Sequence, residues 1–147
     1  MKKRPTVAIA MTPFPYCVDQ NASLEFARQL MDRHRVRHLP VTGEHGVIGL
    51  ITEQDLKSAL GRGANRGAEQ PGLSVNDVYR SKPYVVDLHE PLEHVLATMA
   101  ERHIDAAIVT RAGRLAGVFT WVDACRSFAA FLRERFPHPA DDGNDAA

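Results

Sequence analysis

The sequence predicts an α/β (α+β) domain made of two β-α-β-β-α modules packed as a pseudo-two-fold pair. Three observations predict it. First, the chain overlies itself at an offset of 68 residues without a gap. Pro15-Tyr16 falls on Pro83-Tyr84, Val18-Asp19 on Val86-Asp87, Leu24-Glu25 on Leu92-Glu93, Met31 on Met99 and Val41-Thr42 on Val109-Thr110. Gly49, Thr52 and Asp55 fall on Gly117, Thr120 and Asp123. A period this long exceeds the ~20–50 residues of a solenoid unit and marks a duplicated supersecondary module. Second, short apolar runs with strand character alternate with stretches whose apolar residues recur at helical spacing. Third, a polar, glycine-rich stretch separates the copies. Modules that cannot each bury an apolar face alone pack on each other, so a site at their junction is expected as a pseudo-symmetric pair.

The first copy spans residues 6–61. Tyr16-Cys17-Val18 reads as a short strand, with Cys17 a small core residue. Ser23 is suited to cap a helix that carries Glu25 in its first turn and ends near His34. Phe26, Ala27, Leu30 and Met31 form its apolar stripe. His38-Leu39-Pro40-Val41 is a strand, Gly43-Glu44-His45-Gly46 a turn, and Val47 to Ile51 a buried strand. Thr52 caps a second helix from Glu53 to about Leu60. Residues 62–73 form a flexible linker.

The second copy spans residues 74–136 and repeats the order. Tyr84-Val85-Val86 is its first strand, and a helix runs from Pro91, suited to a first turn, to His103. Strands around Ala107 to Val109 and Leu115 to Phe119 follow, then a helix from Trp121 to Arg135. Phe128, Phe131, Leu132 and Phe136 give this last helix an apolar stripe. That stripe either covers the domain's own core or forms a homodimer contact, for which one self-complementary patch suffices. Residues 137–147 form an acidic, proline-broken tail that is expected to be disordered.

The 147 residues are 44% hydrophobic, enough for a real core, and carry a formal net charge of zero. No global field draws the chain to nucleic acid or to an anionic membrane. The basic Lys2-Lys3-Arg4 start reads as a frayed terminus. No apolar run approaches the ~18–20 residues of a membrane span, and none near the N-terminus has signal-peptide length. Cys17 and Cys125 have no metal-ligand spacing and no repeat equivalence, which fits a reducing cytoplasm. His34 and His38 are four apart, but His38 lies on the strand side of the helix end, so they do not share the helical face of a zinc pair. No Ser-His-Asp set, P-loop or dinucleotide-binding glycine pattern is present.

The segments that could carry chemistry are Gly49-Leu50-Ile51-Thr52-Glu53-Gln54-Asp55 and Gly117-Val118-Phe119-Thr120-Trp121-Val122-Asp123. Each puts Thr and Asp where a buried strand turns into a helix, beside free backbone N–H groups. A threonine hydroxyl can donate to a phosphate oxygen, and a carboxylate can accept from both hydroxyls of a ribose. The glycine lets a ligand or another backbone come close. The competing reading is structural: Thr followed three residues on by Asp is a near capping box that only satisfies the helix start. Trp121 could stack on a ligand ring, although a core aromatic at a helix start is the plainer reading.

The repeat resembles the CBS domain, the module named after cystathionine β-synthase. The matching residues are Ala10-Met11-Thr12-Pro13, Leu39-Pro40-Val41, Gly49-Leu50-Ile51-Thr52 and Asp55-Leu56 in the first copy. In the second they are Val78, Pro83, Ile108-Val109, Gly117-Val118-Phe119-Thr120 and Asp123. The resemblance covers about residues 6–131 and implies a Bateman module with two clefts at the junction. In that family the clefts often bind AMP, ADP, ATP or S-adenosylmethionine, with aspartate on the ribose, threonine on phosphate or ribose, and basic residues on phosphate. Carried over, the first cleft would use Thr52 and Asp55, with Arg37 and His38 for phosphate and Lys82, Pro83 and Tyr84 bordering the base. The second would use Thr120 and Asp123, with Thr12, Phe14 and Tyr16 near the base. Because Arg37-His38 is replaced by Asp105-Ala106, the first cleft is expected to prefer a phosphorylated ligand and the second a less anionic one or none.

The expected function is a non-catalytic regulatory module, with no required cofactor and no metal. It would bind an adenosine-containing ligand between the repeats and signal by conformational or oligomeric change to an effector protein. The alternative is a ligand-free homodimeric interaction scaffold. A nucleotide hydrolase or transferase would need a base or metal near the phosphate, and no such set is legible.

Overall fold

The computed structural model of the chain describes residues 3–64, 72–137 and Pro139. Most of the linker and the acidic tail beyond Pro137 lie outside the described residues. Before the first helix come a 3-10 turn at Val7–Ile9 and two short strands, β1 (Thr12–Pro13) and β2 (Val18–Asp19). Then follow α1 (Leu24–His34), β3 (His38–Gly43), β4 (Gly46–Thr52) and α2 (Glu53–Ala64). A second 3-10 turn at Val75–Asp77 precedes β5 (Tyr84–Asp87), α3 (Leu92–Arg102), β6 (Ala106–Arg111), β7 (Arg114–Thr120) and α4 (Trp121–Arg135). The mixed α/β architecture and both copies of the module are as expected from the repeat.

Local chemistry sets the element ends. The Ser23 hydroxyl accepts from the Phe26 N–H at 3.0 Å and caps α1. Arg35 closes α1 and His103 closes α3, each in the left-handed region with φ near 55°. Pro91 is the residue just before α3 rather than part of its first turn. Of the expected stripe of α1, Ala27 and Met31 are buried and Leu30 packs partly buried on the core; Leu24 joins them, whereas Phe26 is half exposed. The helix α2 runs through Gly61 to Ala64, so the linker starts later than its composition suggests. Cys17 is exposed, and Val18 is the residue that points into the core there.

Each repeat pairs its first strand parallel to its second and its second antiparallel to its third. Both hairpins carry a register shift at the same repeat position, Val41/Thr42 and Val109/Thr110. The sheets are not identical. The first has the order β2-β3-β4, while the second is β1-β7-β6-β5. The extra strand arises because the segment leading into each repeat packs on the other repeat. Val7 is fully buried among Val86, Val95, Val109 and Phe119 of the second repeat. Its repeat mate Val75 is fully buried among Val18, Leu24, Val41 and Ile51 of the first. Backbone bonds fix both exchanges: the Val7 N–H donates to Glu90 O at 2.8 Å and the Val75 N–H to Ala22 O at 2.8 Å. Between the two cores, Leu50 packs with Ala106 and Ile108 across the junction.

The repeated glycines sit where the exchanged leads cross the sheets. A β-carbon on Gly49 would lie 2.2 Å from Arg80 O, and one on Gly117 would lie 2.8 Å from Thr12 O. The close approach anticipated at these glycines is therefore that of another backbone.

Candidate functional site

At the junction lies a cavity of about 700 Å³, bordered by three segments distant in sequence. The turn from β7 into α4 supplies Thr120, Trp121 and Asp123, and the lead segment supplies Thr12, Phe14 and Tyr16. The corner between α1 and β3 supplies His34, Arg35, Arg37 and His38. Thr12 is brought in by β1, which pairs antiparallel with β7 in the register Thr12 to Val118.

Asp123 is the anchor of this wall and is only 5% exposed. Its Oδ2 accepts from the Thr120 N–H at 2.9 Å and from the Thr120 hydroxyl at 3.4 Å. The capping box at the start of α4 is thus formed, and it is what holds the carboxylate in place. Its Oδ1 accepts from the Thr12 hydroxyl at 3.0 Å and from Arg126 Nη1 at 3.3 Å.

The Thr52–Asp55 turn repeats the cap: the Thr52 N–H donates to Asp55 Oδ2 at 3.0 Å, and the Asp55 N–H donates to the Thr52 hydroxyl at 3.1 Å. Thr52 is buried at 3% exposure. Asp55 Oδ1 is engaged by Arg80, with Nε at 3.3 Å and Nη2 at 3.2 Å. Nearby in sequence, Lys82 is exposed, whereas Tyr84 is partly buried and packs on the core of the second repeat.

Arg37 and His38 lie beside Thr52, as grouped from sequence: His38 pairs with Thr52 across the β3–β4 hairpin, and the Glu53 N–H donates to Arg37 O at 2.8 Å. They also border the cavity of Thr120 and Asp123. The corner between α1 and β3 thus touches its own hairpin and also faces the Thr120–Asp123 turn of the other repeat. Arg35 and Arg37 thereby line the cavity of the second turn. His38 is almost buried, with Nε2 3.4 Å from Asp105 Oδ2 across the junction. Arg37 is exposed, and its contact with Glu53 is a loose 3.8 Å.

Thr12, Phe14 and Tyr16 are brought to the cavity as grouped from sequence. Phe14 is 92% exposed with φ of 50°, a left-handed position uncommon for a bulky residue. The Tyr16 ring stacks on the His34 imidazole with centroids 3.6 Å apart. Trp121 is half exposed on the cavity wall rather than a core aromatic. His34 was weighed only as half of a zinc pair, and Arg35 and Arg126 were not singled out from sequence. Only Arg126 had a legible signal, since it stands three residues after Asp123 and so shares its helix face.

Among the described residues no three of His, Cys, Asp and Glu form a metal-sized cluster. No described helix is long and apolar enough to cross a membrane.

Comparison with known proteins agrees with this architecture. The CBS domain family model matches residues 7–62 and again 75–130. A curated relative, the L-aspartate semialdehyde sulfurtransferase of Methanocaldococcus jannaschii, is 27% identical over 116 residues, 78% of this chain and 21% of that protein. The chain thus spans only about a fifth of that relative's length. Among solved structures, a CBS domain pair in complex with 5′-methylthioadenosine and S-adenosyl-L-methionine matches with a TM-score of 0.73 at 25% identity, over 84% of this chain and 99% of the other. CBSX2 in complex with AMP matches with a TM-score of 0.73 at 25% identity, over 87% of this chain and 98% of the other. With both repeats matched and the paired architecture in place, the chain belongs to the CBS domain family.

Proposed function

We propose that this protein is a non-catalytic sensor that binds one adenosine nucleotide in the Asp123 cavity. The observation that carries the reading is the pairing of a buried carboxylate, Asp123, with the guanidinium groups of Arg35 and Arg37 on one cavity, beside the His38 imidazole. The volume of about 700 Å³ falls within the ~300–1,000 Å³ usual for small-molecule sites. Asp123 would accept from the ribose hydroxyls, the cations would take phosphate oxygens, and Phe14, Tyr16 or Trp121 would cover the base. The AMP complex of CBSX2 supports the ligand class by likeness. Mechanism follows from linkage: ligand contacts made by both repeats stabilise one arrangement, by no more than the difference in affinity between the two states. The output passes to an effector protein in the cytoplasm. Zero net charge favours neither nucleic acid nor an anionic membrane as partner.

The test is a thermal-shift panel with AMP, ADP, ATP, S-adenosylmethionine and GTP on wild type and Asp123→Ala. A ligand at about 100 times its Kd adds ~2.7 kcal/mol, roughly 2–8 °C in midpoint for a domain of this size. Shifts with adenine nucleotides that vanish in Asp123→Ala support the reading. No shift with any nucleotide defeats it.

One observation favours a second reading, the homodimeric scaffold. Phe128, Phe131, Leu132 and Phe136 of α4 are all exposed, so the stripe does not cover the chain's own core. Phe128 and Phe131 stack on each other at 6.2 Å. A contiguous exposed apolar face marks an interaction surface, and a second copy would cover it symmetrically.

A further inference from the structure

The two Thr-x-x-Asp turns are repeat mates, but what sits on their aspartates differs. At the 68-residue offset Arg80 takes the place of Thr12, Tyr79 that of Met11 and Gly49 that of Gly117. The backbones obey this equivalence. Thr12 pairs with Val118 on β7, and Arg80 makes the matching antiparallel bridge with Leu50 on β4. The Arg80–Leu50 bridge has N–H···O bonds of 2.8 and 3.0 Å in the two directions. Each lead crosses a glycine that leaves no room for a β-carbon. The side chains then part ways. Thr12 offers Asp123 a single neutral hydroxyl, Arg126 adds one nitrogen at 3.3 Å from within α4, and an open cavity lies beside them. Arg80 puts two guanidinium nitrogens on Asp55 Oδ1, while Asp55 Oδ2 serves the helix cap.

Resting on the nucleotide reading of the Asp123 cavity, we infer that Arg80 is an internal plug. Its guanidinium supplies the donors that ribose hydroxyls would bring, so the chain takes one adenosine ligand rather than two. At the repeat offset Asp105 and Ala106 stand where the first copy has Arg37 and His38, so the second copy offers no matching cations for a phosphate. Once opened, the plugged position takes the uncharged nucleoside.

The test is calorimetric titration of the full chain with ADP and, separately, with adenosine, read in parallel by tryptophan fluorescence. Trp121 is the sole tryptophan and borders the open cavity, so its emission reports that cavity alone. Wild type is expected to bind one ADP per chain with a Trp121 change. Arg80→Thr, which installs the residue of the repeat-equivalent position, is expected to add one adenosine per chain with no Trp121 response, at least tenfold tighter than any such binding in wild type. The reciprocal Thr12→Arg is expected to abolish the ADP-dependent Trp121 change. Two ADP per wild-type chain, or Arg80→Thr without added fluorescence-silent binding, overturns the plug. If wild type binds no ADP, the nucleotide reading fails, and the plug stands or falls on whether Arg80→Thr gains the adenosine site. If Arg80→Thr does not fold, Thr12→Arg decides: a retained ADP response overturns the plug.

Discussion

The Thr12 hydroxyl donates to Asp123 Oδ1 at 3.0 Å, across 111 residues of sequence. This bond ties the lead segment of the first repeat to the helix start of the second, beside the cavity. Asp123→Asn keeps an acceptor for the Thr120 cap but loses the charge that a ribose diol prefers. The expected outcome is a chain within about 1–2 kcal/mol of wild-type stability whose nucleotide-dependent midpoint shift is lost. Urea melts and thermal shift with ADP, run on the same preparation, check both halves.

Gly49→Ala and Gly117→Ala should both destabilise, and unequally. A β-carbon at 49 would meet the Arg80 carbonyl at 2.2 Å and the Tyr79 ring at 2.4 Å. At 117 the nearest atom is the flexible Met11 sulfur at 2.6 Å, with the Thr12 carbonyl at 2.8 Å. Overpacking costs about 1–3 kcal/mol where neighbours can shift and more where backbone must. Denaturant midpoints should therefore rank wild type, then Gly117→Ala, then Gly49→Ala.

Val7 lies near the chain terminus yet is fully buried in the core of the second repeat. Val7→Ala is expected to cost about 2 kcal/mol through lost burial and a partly uncollapsed cavity. A surface position such as Lys57 should tolerate alanine within about 0.5 kcal/mol. Equal midpoints for Val7→Ala and wild type would remove the exchanged lead from the core.

Acid stability should depend on Asp87. The His89 backbone N–H, and then its ring, hold the Asp87 carboxyl below its usual value. A depressed folded pKa gives stability that is present above the unfolded value of ~3.9 and lost as pH falls through the folded one. Asp87→Asn should therefore flatten the loss of thermal midpoint below about pH 4. The check is a series of melts from pH 6 to pH 2 on both proteins.

Phe128→Asp places a charge on an exposed face of α4, so folding should be spared. If a second copy covers that face, sedimentation should change from dimer to monomer while the circular dichroism spectrum is unchanged. A wild-type chain that sediments as a monomer at high concentration would count against the dimer.

Much of the fold was legible because its causes are local. Ser23 caps α1 whatever surrounds it, and the runs Val47 to Ile51 and Leu115 to Phe119 have strand chemistry in any setting. The 68-residue offset located both modules and singled out Thr52, Asp55, Thr120 and Asp123. By itself, then, the sequence determined the elements, their duplication, and the residues suited to the turns from strand to helix. Only the tertiary structure decided how these pieces combine. An internal repeat reads the same whether a lead packs on its own module or on the other, so the exchange of Val7 and Val75 is silent in the alignment. The packing of the repeats brought the corner of Arg37 and His38, which stays beside Thr52, to the Asp123 cavity as well, and the exchange brought Arg80 to Asp55 in the place of Thr12. Contacts between residues so far apart in sequence follow from which apolar faces bury one another, and no local propensity encodes that choice.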